Sequence, residues 1–295
     1  MSSAADRAFL FYNKAQKKLK GVLFFRPSEA ALDDAAEMFE KSANLFKSVK
    51  QWQKAGESYL RVAECQRKLG TIPYVVKAMT NAGHMFKKVD SDKAVECYNG
   101  AVAAAMEEGR LFQAGKLQKE IAELYEKERD IETAIKFYAD AAETFGDEER
   151  AASDERNCLL KVAEFSAARG DYDKSAGIYE SVALKCVPNR LLVWSAREYF
   201  SRCLLCILAR GDTVKADMKL TLFERSDATF PRTPEHKLCQ RLITAMNDRD
   251  EGEFTNALRE YDSMKPLDTW RTNLLEVIKT HIEEEEEEEE EDDVC

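Results

Sequence analysis

Small and large apolar residues recur along the chain at helical spacing. Ala or Ser is followed four residues later by Tyr or Leu at Ala55/Tyr59, Ala94/Tyr98, Ala134/Tyr138, Ser175/Tyr179, Ala216/Leu220 and Ala257/Tyr261. Residues i and i+4 share one helix face, and the first members of these pairs are 39, 40, 41, 41 and 41 residues apart. A second register supports the period. Ala82, Ala122 and Ala163 each stand 12 residues before an anchor, opening stretches that end at Lys88-Val89-Asp90, Arg129-Asp130 and Arg169-Gly170-Asp171. A period near 40 with one internal turn predicts two antiparallel helices of about four to five turns, with a small residue where they cross.

Such a hairpin cannot bury its apolar face alone, so neighbours stack into a solenoid with an extended concave surface. The expected fold class is all-α. The period exceeds the tetratricopeptide length and overlaps that of HEAT repeats, but the Ala-x-x-x-Tyr signature points to a tetratricopeptide-like array with longer helices. Only 12 Gly and 6 Pro are present, and Pro27, Pro73, Pro188, Pro231, Pro234 and Pro266 all fall between predicted helices, where a missing N–H does no harm.

Charge adds one feature. The chain of 295 residues has a formal net charge of −11, and all of the excess lies in Glu283 to Asp293, an unbroken run of 11 carboxylates. The balanced body argues against a nucleic-acid partner. No stretch approaches the roughly 20 apolar residues of a membrane-spanning helix, and the N-terminus lacks a basic segment followed by an apolar core. A cytoplasmic protein is expected, its eight cysteines reading as small buried hydrophobes in a reducing compartment.

Chemistry-bearing motifs are incomplete. Gly115-Lys116 lacks the remainder of a phosphate loop, and Cys203-Leu204-Leu205-Cys206 has neither a second pair nor a nearby His. Asp171 to Val182 opens like a calcium loop but has Ala176 and Val182 where Gly and Glu are required. His84, His236 and His281 are far apart in sequence. The expectation is therefore no enzyme, no cofactor and no metal.

Basic residues recur instead. Lys116 and Lys119 stand 18 and 15 residues before Ala134, while Lys161 and Arg202 each stand 14 before their anchors, so the four span an arc of roughly 100°. Arg156 and Arg197, each 19 before an anchor, form a second column about 140° away. Two readings stay open: a solvated helix face with local ion pairs, or a positive concave wall that grips an acidic, elongated partner. Near the N-terminus, Leu23, Phe24 and Phe25 lie between Lys14, Lys17, Lys18 and Lys20 and the Pro27-Ser28 turn. This loop is either a hydrophobic staple or a shallow membrane anchor. The acidic end is a self-repelling extension carrying one aliphatic residue, Val294, next to the terminus.

Several segments taken together resemble the soluble NSF attachment protein family, alpha type. They are the Phe24-Phe25 loop, Ala43-Asn44-Leu45-Phe46-Lys47, Asn81-Ala82-Gly83-His84-Met85-Phe86-Lys87-Lys88, Gly109-Arg110, Cys158-Leu159-Leu160-Lys161-Val162-Ala163, Ser195-Ala196-Arg197-Glu198-Tyr199-Phe200, Glu260-Tyr261-Asp262-Ser263 and the acidic end. The resemblance implies a twisted sheet of helical hairpins over 1–210 with a hydrophobic loop at 21–28, a C-terminal helical bundle over 211–282 and an acidic flexible tail over 283–295. It also implies an adaptor, monomeric when free, several copies of which wrap a SNARE four-helix bundle of the syntaxin-containing kind. Arg110, Lys116, Lys119, Arg156, Lys161, Arg197 and Arg202 would meet the acidic bundle. Asp212, Asp248, Asp250 and Glu251, with Val294, would engage the hexameric ATPase NSF, and Leu23, Phe24 and Phe25 the membrane surface. Two departures stand out: Asn157 replaces the usual Lys before Cys158, and Val294 replaces a penultimate Leu, one methylene smaller and worth about 0.8 kcal/mol of burial. The runner-up is a generic tetratricopeptide-like adaptor that clamps acidic peptides in a basic groove within two or three repeats.

Overall fold

The computed structural model describes residues 3–20 and 27–292, with side chains described as far as Glu283. Among the described residues all regular structure is helical. The first compact unit spans Met1–Cys158 and the second Leu159–Cys295. The first contains α1 (Ala4–Lys20), α2 (Glu29–Ser48), α3 (Trp52–Lys68), α4 (Ile72–Phe86), α5 (Ser91–Glu107), α6 (Leu111–Glu128) and α7 (Ile131–Gly146). The boundary falls inside α8 (Ala152–Ala168), and the second unit continues with α9 (Tyr172–Cys186), α10 (Val193–Ala209), α11 (Thr213–Ser226), α12 (Pro234–Asp248), α13 (Glu251–Met264) and α14 (Thr269–Asp292).

The predicted period is realised helix by helix. All six anchor pairs are buried, on α3, α5, α7, α9, α11 and α13, and Ala82, Ala122 and Ala163 are fully buried on α4, α6 and α8. Small residues at the crossings have a defined job. A Cβ built on Gly56 would lie 2.7 Å from the Phe86 ring, one on Gly83 2.5 Å from the Tyr98 ring, and one on Gly115 2.8 Å from the Phe145 ring. Each glycine thus admits an aromatic ring from a neighbouring helix. Ser175 replaces Ala at its anchor because its hydroxyl donates to the Ala163 carbonyl at 2.8 Å.

Aspartates repeat with the same period at helix starts. Asp90, Asp130, Asp171, Asp212 and Asp250 cap α5, α7, α9, α11 and α13, each carboxylate accepting from the backbone N–H three residues on. At the other ends Gly70, Gly109, Gly170 and Gly211 leave their helices at positive φ, the backbone region that favours glycine. Prolines sit at first or second helical positions, as Pro73 and Pro234 do, or between helices. The array is a tetratricopeptide-like stack of helical hairpins.

In the second unit the α9–α10 hairpin shares its core with the helices C-terminal to it. Phe200, Leu204 and Leu208 of α10 join Leu220 and Phe223 of α11, Leu238 and Leu242 of α12 and Leu274 and Ile278 of α14 in one apolar cluster. α10 is apolar nearly all round over Cys203 to Ala209 and is covered on several sides. α14 also continues through the carboxylate run to Asp292, past the expected break at 283. Glutamate is a good helix former, and Leu274, Leu275, Ile278 and Ile282 anchor the preceding turns in the core.

Candidate functional site

In the first unit the candidate cations gather on α6 and the start of α8. Arg110 is the N-terminal flanking residue of α6, exposed, its guanidinium 3.4 Å from the Gln113 side-chain oxygen. Lys116, one and a half turns into the helix, is exposed with its ammonium 4.2 Å from the centre of the Phe112 ring. Arg150 lies over the same ring at 5.1 Å. Nothing in the repeat pattern marks Arg150, since it sits in a 3-10 turn (Glu149–Ala151) outside that pattern and reaches Phe112 only through tertiary packing.

Lys116 and Lys119 also line a groove of about 380 Å³ between α4 and α6, together with His84, Glu120, Glu123 and Asp154. Its charge is mixed. Lys119 is half-buried, 4.0 Å from Glu123, and Glu120 is held by Lys87 at 2.7 Å. Arg156 is half-buried on α8, where its guanidinium donates to the Ser153 hydroxyl at 3.3 Å.

The second-unit cations behave differently. Lys161 on α8 lies 5.1 Å from the Phe165 ring centre. Arg197 is buried, donating to Asp227 at 2.7 Å and to the Thr229 hydroxyl, with its guanidinium 4.2 Å over the Trp194 ring. Burial pushes the Asp227 carboxyl up, but hydrogen bonds from Thr229 and Arg197 outweigh this and hold it below its ordinary range. Arg202 donates to Glu198 at 3.1 Å and Asp268 at 2.9 Å, and lies 4.6 Å over the Trp270 ring. Glu198 is the hub. It receives Arg202 and Lys265, the latter at 2.8 Å, and also Arg271; burial raises its carboxyl, yet these cations bring it down to about 2. Arg197 and Arg202 are therefore held inside the fold by acids 30 and 66 residues further along the chain, which helical offsets do not reveal.

The four candidate acids stand at helix ends of the second unit. Asp212 caps α11 by accepting from Lys215 N at 2.8 Å, and Asp250 caps α13 by accepting from Glu253 N at 2.8 Å. Asp248 closes α12, and Glu251 opens α13 in an ion pair with Lys279 at 2.8 Å. Asp212, Asp250 and Glu251 are exposed. Gly211 and Thr213, either side of Asp212, and Asn247 and Arg249, either side of Asp248, line a hollow of about 190 Å³ with Met246 and His281, and the His281 ring nitrogen meets the Ala209 carbonyl at 3.0 Å. One carboxylate oxygen of Asp212 and of Asp250 is engaged in a cap, so both residues have a structural role as well. Leu23, Phe24, Phe25 and Val294 lie outside the described residues.

The seven described cysteines are buried, Cys203 and Cys206 among them in the apolar core of the second unit. Burial pushes the Cys206 thiol up to about 12, the behaviour of a core residue. No helix of the described residues is long and apolar enough to cross a membrane.

The family described as "Soluble NSF attachment protein, SNAP" matches residues 6–283. The chain is 35% identical over 283 residues to an alpha-soluble NSF attachment protein of Vitis vinifera, covering 96% of both chains. It is 38% identical over 275 residues to the corresponding Dictyostelium discoideum protein, covering 92% of this chain and 94% of that one. A protein of Komagataella phaffii named "Vesicular-fusion protein SEC17" is 30% identical over 280 residues, with 92% and 94% covered. The match takes in the hairpin array, the cations of α6 and α8 and the acid-bearing turns alike, and the chain belongs to the soluble NSF attachment protein family.

Proposed function

We propose that this protein is an adaptor in vesicle fusion: it binds the SNARE four-helix bundle and recruits and stimulates the NSF ATPase, which separates the bundle. The observation that carries this reading is the family match over 6–283, with relatives covered over more than nine-tenths of their length. The names of those relatives tie them to NSF attachment and vesicular fusion. The adaptor role involves no catalytic step by this chain. Its task is to hold one partner and present it to another, and two chemically opposite surfaces support that division of labour.

The first surface is cationic. Lys116 on α6 and Arg110 just before it stay exposed, and the Phe112 ring packs beneath Lys116 and Arg150, the latter paired with Glu148 at 3.0 Å. In the second unit Lys161 of α8 is a separate candidate cation. The second surface is the acidic end at Asp212, Asp248, Asp250 and Glu251, which offers carboxylates to a basic domain of the ATPase, with Val294 as an aliphatic contact. Leu23, Phe24 and Phe25 would raise the local concentration of this cytoplasmic protein at the membrane that holds the bundle. Replacing both phenylalanines by Ser then slows disassembly of liposome-embedded bundles and leaves soluble bundles unaffected; equal loss on both substrates would show a structural loop.

Charge reversal tests the cationic surface. Lys116→Glu with Lys161→Glu is expected to abolish bundle binding at moderate salt while the helical circular dichroism stays unchanged. Retained binding contradicts the assignment. One observation favours the peptide-clamp alternative: with Arg197 and Arg202 held internally, the accessible candidate cations concentrate on α6 and α8. Under that alternative a short acidic peptide binds as tightly as the assembled bundle. Under the adaptor reading it binds far more weakly.

A further inference from the structure

The groove of the first unit between α2 and α4, about 680 Å³, is larger than the one that holds the candidate lysines. Its lining is mixed: the polar Gln66, Thr71 and Asn81 stand beside Ala30 and Leu69, while Val62 of α3 and Ala78 of α4 are nearly covered. Glu29, Asp33, Glu37 and Glu40 form its α2 wall. Spaced four, four and three residues apart, they occupy one face of the helix along about 16 Å. Lys77 is the one basic side chain in the described lining, and it already pairs with Glu40 at 3.4 Å. Glu37 pairs with Lys41 on its own helix, whereas Glu29 and Asp33 have no ion-pair partner among the described residues. Tyr74, 58% exposed, stands on the opposite rim.

We propose that this groove is a docking site for a basic amphipathic segment of a protein partner, about three helical turns long. Its apolar face would lie against Ala30 and Leu69, its Lys or Arg side chains would meet Glu29 and Asp33, and the Tyr74 ring would receive a further cation. Charge complementarity selects this occupant. The α2 wall repels phosphate, lipid headgroups and acidic peptides, and no group of three or more possible ligands close enough to hold a metal ion occurs among the described residues. The described lysine-rich end of α1 does not fill the groove, because Lys18 pairs with Asp34, the neighbour of Asp33 that is absent from the lining. The groove between α4 and α6 carries Lys116 and Lys119, so α4 separates an acidic groove from one bearing exposed lysine. An elongated partner with both charge types is thereby oriented as well as bound. The proposal does not depend on what binds Lys116.

The acidic end of the chain attracts any basic probe, so the test removes that contribution. In the full-length protein, every carboxylate from Glu284 to Asp293 is replaced by its amide. Binding of a fluorescent 14-residue Lys/Leu amphipathic peptide is then followed by anisotropy. Glu29→Gln with Asp33→Asn should weaken binding about tenfold at low salt, with a smaller difference at 0.5 M salt. Asp33→Lys should weaken it more than Asp33→Asn. Lys116→Glu with Lys119→Glu should not weaken it, and an otherwise identical peptide with Glu in place of Lys should not bind. Melting curves confirm that the variants remain folded. Equal binding by the Glu29/Asp33 variant and its parent, or equal binding of the acidic peptide, overturns the proposal.

Discussion

At the scale of single residues, the repeat depends on glycines and alanines where helices cross. Gly83 is the sharpest case: it is buried on α4, and an added Cβ would lie 2.5 Å from the Tyr98 ring, whose face is fixed by full burial. Gly83→Ala gains helix propensity but overpacks this crossing, so a net loss of about 1–3 kcal/mol is expected in urea denaturation. An unchanged midpoint would mean that the Tyr98 ring moves aside freely. The anchors are legible in the sequence because a small residue and an aromatic four positions later recur with a helical period. The partners of Arg197 and Arg202 are not. Asp227 and Asp268 lie outside the repeat, and their approach is set by the packing of α10 with α11, α12 and α14. Residue chemistry shows that cations recur on these helices; only packing shows which of them remain exposed.

Among the elements, the α10–α14 assembly is held by an ionic hub as well as by its apolar core. Glu198 receives Arg202, Lys265 and Arg271, and the Arg271 side chain is only 3% exposed. The folded carboxyl titrates at about 2, below its ordinary 4.5, so its contribution to stability is fully present above about pH 4.5. That contribution is lost as pH falls towards 2. The denaturation midpoint should therefore fall from pH 5 to pH 3, and Glu198→Gln, less stable at pH 7, should show a shallower fall. An identical pH profile in the variant would mean that Glu198 is not the group being protonated. The hairpins themselves are readable from periodicity, turn residues and aspartate caps. The shared core of α9 to α14 is not, because a helix that is apolar on several sides reads the same in a hairpin stack and in a bundle. Continuation of α14 to Asp292 is obscured for a related reason: like charges at i and i+4 oppose helix formation while glutamate favours it, and the pattern alone does not decide between them.

For the molecule as a whole, family membership and the separation of charges lead to the same account. On the adaptor reading we propose, the exposed cations of α6 would grip an acidic bundle, and the exposed carboxylates at the starts of α11 and α13 would receive a basic domain. A protein that only binds would need one such surface, whereas an adaptor needs both, each usable while the other is occupied. The most direct test places this protein, an assembled SNARE bundle and NSF together, and follows release of the individual SNARE chains on addition of ATP. The account predicts release that requires this protein. It further predicts that Asp248→Lys with Glu251→Lys leaves the bundle bound but blocks release, and that Lys116→Glu with Lys161→Glu prevents capture of the bundle in the first place. Capture of the bundle without recruitment of NSF by the unaltered protein, or release that proceeds equally in its absence, would contradict it.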